Sequence, residues 1–204
     1  MTITCEKDSD NLSWLISYND QPYAKVHQKI IKYPKLITSL DKQDFPQALE
    51  ELLYKQTKRY VLFCLSKQNI PSFLLIHKLQ QFYLPKRIIG KIVQEMIDSG
   101  YIDDKEWVNS QIRQFTQKKY GAKAIRFKLI QKKVPLELIN ECLVEDVEDE
   151  KEQIMSLLSK KARSCDLSNF KERKKIINSL LRKGFPFELI NDCFRLLSFS
   201  SVDN

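Results

Sequence analysis

The chain has 204 residues, of which 43% are hydrophobic, and a formal net charge of +8. This hydrophobic share is ordinary for a folded protein and argues against disorder. Only four glycines and two histidines, His27 and His77, are present. This composition excludes glycine-rich phosphate loops, and it offers no cluster for a zinc site or a Ser/His/Asp triad. We therefore expect no catalysis, no metal and no cofactor, and we interpret both histidines as structural.

The cationic excess predicts an anionic partner, either nucleic acid or an acidic protein surface. It lies in the C-terminal three quarters, because residues 1–56 carry 7 basic and 8 acidic groups. Five cysteines without CxxC spacing, and the lack of a secretory signal, indicate a reducing compartment. No apolar run approaches the ~18 residues that a membrane span requires. We expect a cytoplasmic monomer without a membrane partner.

The first 27 residues alternate between apolar and polar side chains. Residues 2–5, 12–18 and 22–26 are typical of short strands, and the Asp- and Asn-rich segments between them are typical of turns. These patterns predict a small antiparallel sheet, which is too small to stand alone and should pack on a helix. The pattern becomes helical after about residue 28, with Asp44 as a predicted N-cap and Pro46 in the first turn of its helix.

An internal repeat follows. Residues 133–142 resemble residues 184–193 at an offset of 51, and residues 83–92 are a weaker copy at an offset of 50. Four sets of apolar positions correspond: Leu75, Ile125 and Ile176; Leu79, Leu129 and Leu180; Ile88, Leu138 and Leu189; and Ile92, Cys142 and Cys193. Each copy has the pattern of three short helices, which in the second are predicted at about 104–117, 121–132 and 135–144.

Such a unit cannot bury all its apolar faces alone, so stacking in series is expected. The predicted fold is mainly α: three tandem three-helix repeats in an elongated array, preceded by a small N-terminal antiparallel β region. The predicted segments are 1–45, 46–104, 105–150 and 151–204. The third repeat carries an insertion of about eight residues around 163–170. The acidic run 145–150 is interpreted as a solvated junction, or alternatively as a contact for a basic protein patch or a device that turns the array away from DNA.

The candidate functional residues are basic. No acidic residue occurs from Trp107 to Leu136, and the third repeat has a second basic cluster, in which Lys174 corresponds to Lys123. The predicted binding surface consists of Arg113, Lys118, Lys119, Lys123, Arg126, Lys132, Lys133, Lys171, Arg173, Lys174 and Lys175. These side chains could grip phosphates, meet an acidic protein groove or merely solubilise the helices. Most of the aromatic residues are expected at helix-inward positions, so no base-stacking platform is predicted.

Two segments carry a family resemblance. SGYIDDKEWV at residues 99–108, followed by YGAKAIRFKL at residues 120–129, resembles the pattern of the RecX family, regulators of the RecA recombinase. The resemblance covers about residues 57–197 and includes the proline before the last helix of each repeat.

The resemblance implies a non-enzymatic regulator whose curved array lies in the groove of the RecA filament on DNA. It would modulate, and foremost inhibit, ATPase, strand-exchange and co-protease activities in DNA repair, recombination and the SOS response. DNA itself would be bound only weakly, through electrostatic attraction. The alternative is a direct DNA-binding helical repeat protein with helix-turn-helix-like units.

Overall fold

A computed structural model describes residues 1–144, 146–163, 165 and 169–200. The chain divides into two compact units, Met1–Asp104 and Lys105–Asn204. The described elements confirm a mainly α-helical fold with a small N-terminal antiparallel sheet. Among the described residues, no helix is long and apolar enough to cross a membrane.

The first unit contains the sheet and the first helices: β1 (Ile3–Lys7), β2 (Ser13–Tyr18), β3 (Gln21–His27), α1 (Lys35–Thr38), α2 (Phe45–Leu65), α3 (Ser72–Gln80) and α4 (Lys86–Asp98). The remaining helices are α5 (Asp104–Gln117), α6 (Ala122–Gln131), α7 (Leu136–Cys142), α8 (Val147–Ala162), α9 (Phe170–Arg182) and α10 (Phe187–Ser200).

The three strands form one antiparallel sheet in the order β1-β2-β3. Asn19 and Asp20 join β2 to β3 with φ of 52° and 62°. Two consecutive left-handed residues match the right-handed twist of a hairpin, and Asn and Asp tolerate that conformation better than most side chains. The predicted turn chemistry therefore produces the observed hairpin.

The sheet packs on the helices of the first unit, as predicted. Ile16 and Val26 are buried in the same core as Phe45 of α2. The Tyr18 ring stacks on Phe45 at 4.8 Å between centroids, and the Trp14 indole nitrogen donates to the Ile31 carbonyl at 2.8 Å. These contacts cover the apolar side of a sheet that three short strands could not stabilise alone.

His27, at the end of β3, packs against the segment that follows α3. Its ring lies 4.8 Å from that of Phe82, and its Nδ1 accepts from the Lys29 amide at 3.0 Å. Burial, with the nearby charge of Lys29, lowers the pKa of His27. The neutral ring therefore fits this site, which agrees with a structural role.

Helix α2 begins after Asp44 and has proline in its first turn, as predicted. The Asp44 side chain, however, makes no capping hydrogen bond. The helix is held instead by its apolar stripe, which includes the buried residues Leu49, Leu53 and Val61. Their spacing places them on one helical face.

The repeat alignment correctly identifies inward positions. Leu75, Ile125 and Ile176 are buried, as are Leu79, Leu129 and Leu180. The middle helix of each triplet is followed by a residue of positive φ, at Tyr83, Lys133 and Gly184. A left-handed residue there satisfies the last carbonyls of a helix.

The two cysteines at the last corresponding position are Cys142 and Cys193. Cys193 is buried and Cys142 half-buried, and burial raises the pKa of the Cys193 thiol. The repeat boundaries and the curvature of the array stay predictions.

Two residues of the acidic run 145–150 accept hydrogen bonds from helix starts, while the described residues 146–149 are exposed, as expected of a solvated junction. The Asp146 side chain caps α8 by accepting from the amides of Glu148 at 3.0 Å and Asp149 at 3.3 Å. Glu150 accepts from the Ala122 amide at the start of α6 at 2.6 Å. Residue 145 lies outside the described residues, and so does half of the predicted insertion, at residues 164 and 166–168.

Candidate partner-binding surface

Helix α6 is amphipathic, and its outer face mixes charge with apolar surface. Ile125 and Leu129 are buried. Lys123 is exposed, and Phe127 and Ile130 are 61% and 45% exposed. These three positions are spaced by four and three residues, which places them on one side of the helix. The outer face of α6 therefore carries one cation and two apolar side chains.

Helix α9, the equivalent helix of the third repeat, has a related face. Ile176 and Leu180 point into the core, whereas Lys174 and Leu181 are exposed. They correspond to Lys123 and Ile130 of α6 at the repeat offset of 51. We call the set Lys123, Phe127, Ile130, Lys174 and Leu181 the α6/α9 face.

The end of α9 lies against the start of α6. The Gly121 amide donates to the Lys183 carbonyl at 2.8 Å. The Lys183 ammonium donates to the carbonyls of Lys118 at 3.0 Å and Lys119 at 3.2 Å. The two middle helices are thus fixed to each other by hydrogen bonds.

Some predicted binding residues have their side chains engaged within the protein. Arg113 forms an ion pair with Glu106 at 2.6 Å, and Arg126 donates a hydrogen bond to the Asn140 side chain at 2.5 Å. Two further cations lie over aromatic rings: Lys132 is 5.9 Å from the centroid of Trp107, and Arg173 is 4.8 Å from that of Phe194. These contacts orient the cations, and a partner must replace or share them. The remaining predicted lysines are exposed except for the half-buried Lys119: Lys118, Lys123, Lys133, Lys171, Lys174 and Lys175.

The start of α6 is already occupied by a carboxylate. A helix N-terminus attracts anions because its first amides lack partners within the helix. Here Glu150 accepts from the Ala122 amide. A phosphate group would have to displace this carboxylate, so the positive charge of α6 is available on its side rather than at its end.

Phe127 is an exception to the expectation that most aromatic residues lie at helix-inward positions, and Phe63 and Tyr33 are exposed as well. The reason is visible in the helical period. Phe127 lies two residues from both Ile125 and Leu129, and a position two residues from a buried one faces away from it. That signal could have identified Phe127 before the structure was known.

Comparisons with known proteins agree with one another. A family model described as RecX, third three-helix domain, matches residues 148–194. A regulatory protein RecX from Vibrio campbellii is 27% identical over 147 residues, covering 72% of this chain and 93% of the relative. One from Bacillus mycoides is 30% identical over 154 residues, covering 74% and 55%.

Two solved structures share the fold. The crystal structure of RecX from Lactobacillus salivarius matches with a TM-score of 0.62 at 24% identity, covering 72% of this chain and 97% of that one. A crystal structure of a regulatory protein RecX matches with a TM-score of 0.61 at 20% identity, covering 94% and 98%. The similarity in fold thus extends over most of the chain.

Proposed function

We propose that this chain, a member of the RecX family of regulatory proteins, binds the RecA recombinase filament on DNA and inhibits it. The inhibited activities are ATP hydrolysis, strand exchange and co-protease function, in DNA repair, recombination and the SOS response. The protein acts as a cytoplasmic, non-enzymatic monomer. It regulates the filament through the area of its binding surface and does not catalyse a reaction.

The α6/α9 face supports a protein partner. Phe127 and Ile130 expose large apolar surfaces beside Lys123. Burial of such side chains stabilises a protein–protein interface, whereas a phosphate backbone offers them no apolar contact. The lysines would meet an acidic region of the filament and raise the association rate. This combination of exposed apolar and cationic side chains is the observation that carries the proposal.

Direct DNA binding by helix-turn-helix-like units has less support. The α6 N-terminus is capped by Glu150, and the Arg113 and Arg126 side chains are engaged by Glu106 and Asn140. Tight, sequence-dependent binding of bare duplex DNA at physiological salt would favour this alternative. Weak binding with a steep dependence on salt would favour the filament regulator.

The test is the single-stranded-DNA-dependent ATPase of the cognate recombinase, measured against increasing concentrations of this protein. We expect inhibition by the native chain. The double variant Lys123→Glu/Lys174→Glu should require at least about tenfold more protein for half-inhibition, since like charges across an interface are strongly unfavourable.

Lys86→Glu is the matched control, because Lys86 is also exposed on a helix but lies on α4, outside the α6/α9 face. It should inhibit as the native chain does. Equal inhibition by the double variant would remove the α6/α9 face from the proposal. No inhibition by the native chain would overturn the proposal itself.

A further inference from the structure

A groove on the first unit has no role in the proposed function. It lies between the segment that follows β3 and the outer side of α2, and its volume is about 580 Å³. Its lining consists of Lys29, Ile30, Lys32, Tyr33, Leu36, Gln56, Arg59, Tyr60 and Phe63. We call it the α2 groove.

The α2 groove is cationic. It is built from two parts of the chain without aspartate or glutamate, residues 21–40 and 52–94. Lys29, Lys32 and Arg59 are all exposed. None of the three has a carboxylate partner in the part of the chain that the structure describes. A concave surface with charges of one sign concentrates counter-ions and anionic ligands.

The groove also presents two aromatic rings. Tyr33 is 59% exposed and Phe63 is 61% exposed. A lysine lies near each ring, with Lys32 at 5.3 Å from the Tyr33 centroid and Lys67 at 5.6 Å from that of Phe63. Exposed rings beside cations are the combination that binds bases and phosphates together.

The surroundings hold this arrangement in place. Ile30 and Ile31 are buried, and the Ile31 carbonyl accepts from the Trp14 indole. On the opposite side, Tyr60 packs edge-on against Phe82 at 5.5 Å. The walls are therefore anchored in the core, while the rings and charges of the rim remain exposed, as in a largely pre-formed binding site.

We propose that the α2 groove binds single-stranded nucleic acid. Phosphates contact Lys29, Lys32 and Arg59, and bases stack on Tyr33 and Phe63. A duplex is a poorer ligand, because its bases are already stacked on one another and cannot reach the rings. An acidic peptide would use the charges but has no planar group for the rings. The site lies in a different unit from the α6/α9 face and does not depend on the recombinase.

The experiment is fluorescence anisotropy with a labelled oligothymidylate of about 12 nucleotides, a length within the range bound by known single-strand sites. The recombinase is absent, so failure here leaves the proposed function untouched. Tyr33→Ala and Phe63→Ala should each weaken binding by roughly 5- to 150-fold, the loss expected for one stacked base. Tyr33→Phe keeps the ring and should bind as the native chain does, whereas Tyr33→Leu keeps the bulk and should not.

Two controls match the exposure of the tested rings. Tyr101 is 59% exposed and Phe187 is 54% exposed, and both lie outside the groove and outside the α6/α9 face. Tyr101→Ala and Phe187→Ala should leave the affinity for the oligonucleotide unchanged. The far-UV circular dichroism of each variant verifies folding, and Tyr33→Phe against Tyr33→Leu still decides the outcome should an alanine variant unfold.

The role of the lysines is tested by the salt dependence of the affinity for the oligonucleotide. Lys29→Gln/Lys32→Gln should lower the slope of log affinity against log salt by about 1.4, because each contact with a single-strand phosphate contributes about 0.7. Three results would overturn the proposal: unchanged binding by Tyr33→Leu and Phe63→Ala, equal affinity for a duplex of the same length, or displacement of the oligonucleotide by an equal charge concentration of oligoglutamate.

Discussion

Gly184 allows two chain segments of the second unit to approach each other closely. Its φ is +89°, and a Cβ atom added to it would lie 2.4 Å from the Ala124 amide nitrogen and 2.5 Å from the Ala124 Cβ. The obstacle is backbone, which cannot rotate away. The residue both ends α9 in a left-handed conformation and lets α6 pack against that end.

We predict that Gly184→Ala lowers the free energy of unfolding by at least about 2 kcal/mol, from the strained backbone conformation and from overpacking. Gly90→Ala is the control. Gly90 lies within α4, and an added Cβ meets nothing within 4 Å. That variant should gain about 0.5–1 kcal/mol from helix propensity. Urea unfolding measures both, and a neutral Gly184→Ala would contradict the packing described.

At the scale of elements, two middle helices are capped by carboxylates that come from later in the sequence. Asp104, the first residue of α5, accepts from the Ser72 amide at the start of α3 at 2.6 Å, and also from the Ser72 hydroxyl. Glu150 of α8 likewise accepts from the Ala122 amide at the start of α6. Ser72 and Ala122 are equivalent positions at the repeat offset of 50. The repeats thus satisfy helix starts with side chains from a neighbouring triplet.

Asp104→Ala should therefore lower the stability of the first unit by about 1–2 kcal/mol, the usual loss when a carboxylate cap is removed. Asp44→Ala is the informative control. Asp44 occupies an N-cap position, but its side chain makes no capping hydrogen bond, so its removal should cost a few tenths of a kcal/mol. Thermal unfolding followed by circular dichroism compares them. A larger loss for Asp44→Ala than for Asp104→Ala would refute the assignment of caps.

These caps also show what sequence could and could not predict. The helix triplets were predictable because apolar residues such as Leu79, Leu129 and Leu180 recur at nearly fixed offsets. Each of the three is buried at the corresponding position of its own triplet. Asp44 was predicted as a cap from its local position alone. The Asp104 cap was not predicted, because its partner Ser72 lies 32 residues away. Local periodicity identifies helices, whereas contacts between helices require the fold.

For the molecule as a whole, the cationic α2 groove cannot be predicted from the distribution of charge along the sequence. Residues 1–56 carry 7 basic and 8 acidic groups and look neutral along the chain. Folding separates these charges. Asp8 and Asp10 pair with Lys25, and Glu50 pairs with Arg87. Lys29 and Lys32 instead line the α2 groove together with Arg59. The candidate lysines of α6 were predictable because they lie in a segment without acidic residues, and those of α9 because they cluster at the corresponding repeat positions.

The net charge of +8 and the exposed apolar residues should affect different rate constants for binding to the recombinase filament. Charges act over a Debye length and speed encounter, whereas apolar contacts form only after docking. Lys123→Gln/Lys174→Gln should therefore mainly lower the association rate, by roughly two- to tenfold at low salt, and this effect should shrink as salt is added. Phe127→Ala should mainly raise the dissociation rate, by roughly tenfold or more, at every salt concentration.

Biolayer interferometry on immobilised filaments separates the two rate constants. Tyr101→Ala is the control for the apolar change, because Tyr101 is 59% exposed, lies in the other unit and belongs to neither proposed binding surface. A Phe127→Ala variant that dissociates as slowly as the native chain would mean that the second unit holds the filament by charge alone. In that case, the lysine variant should abolish binding at physiological salt, and the partner surface would be restricted to anionic groups.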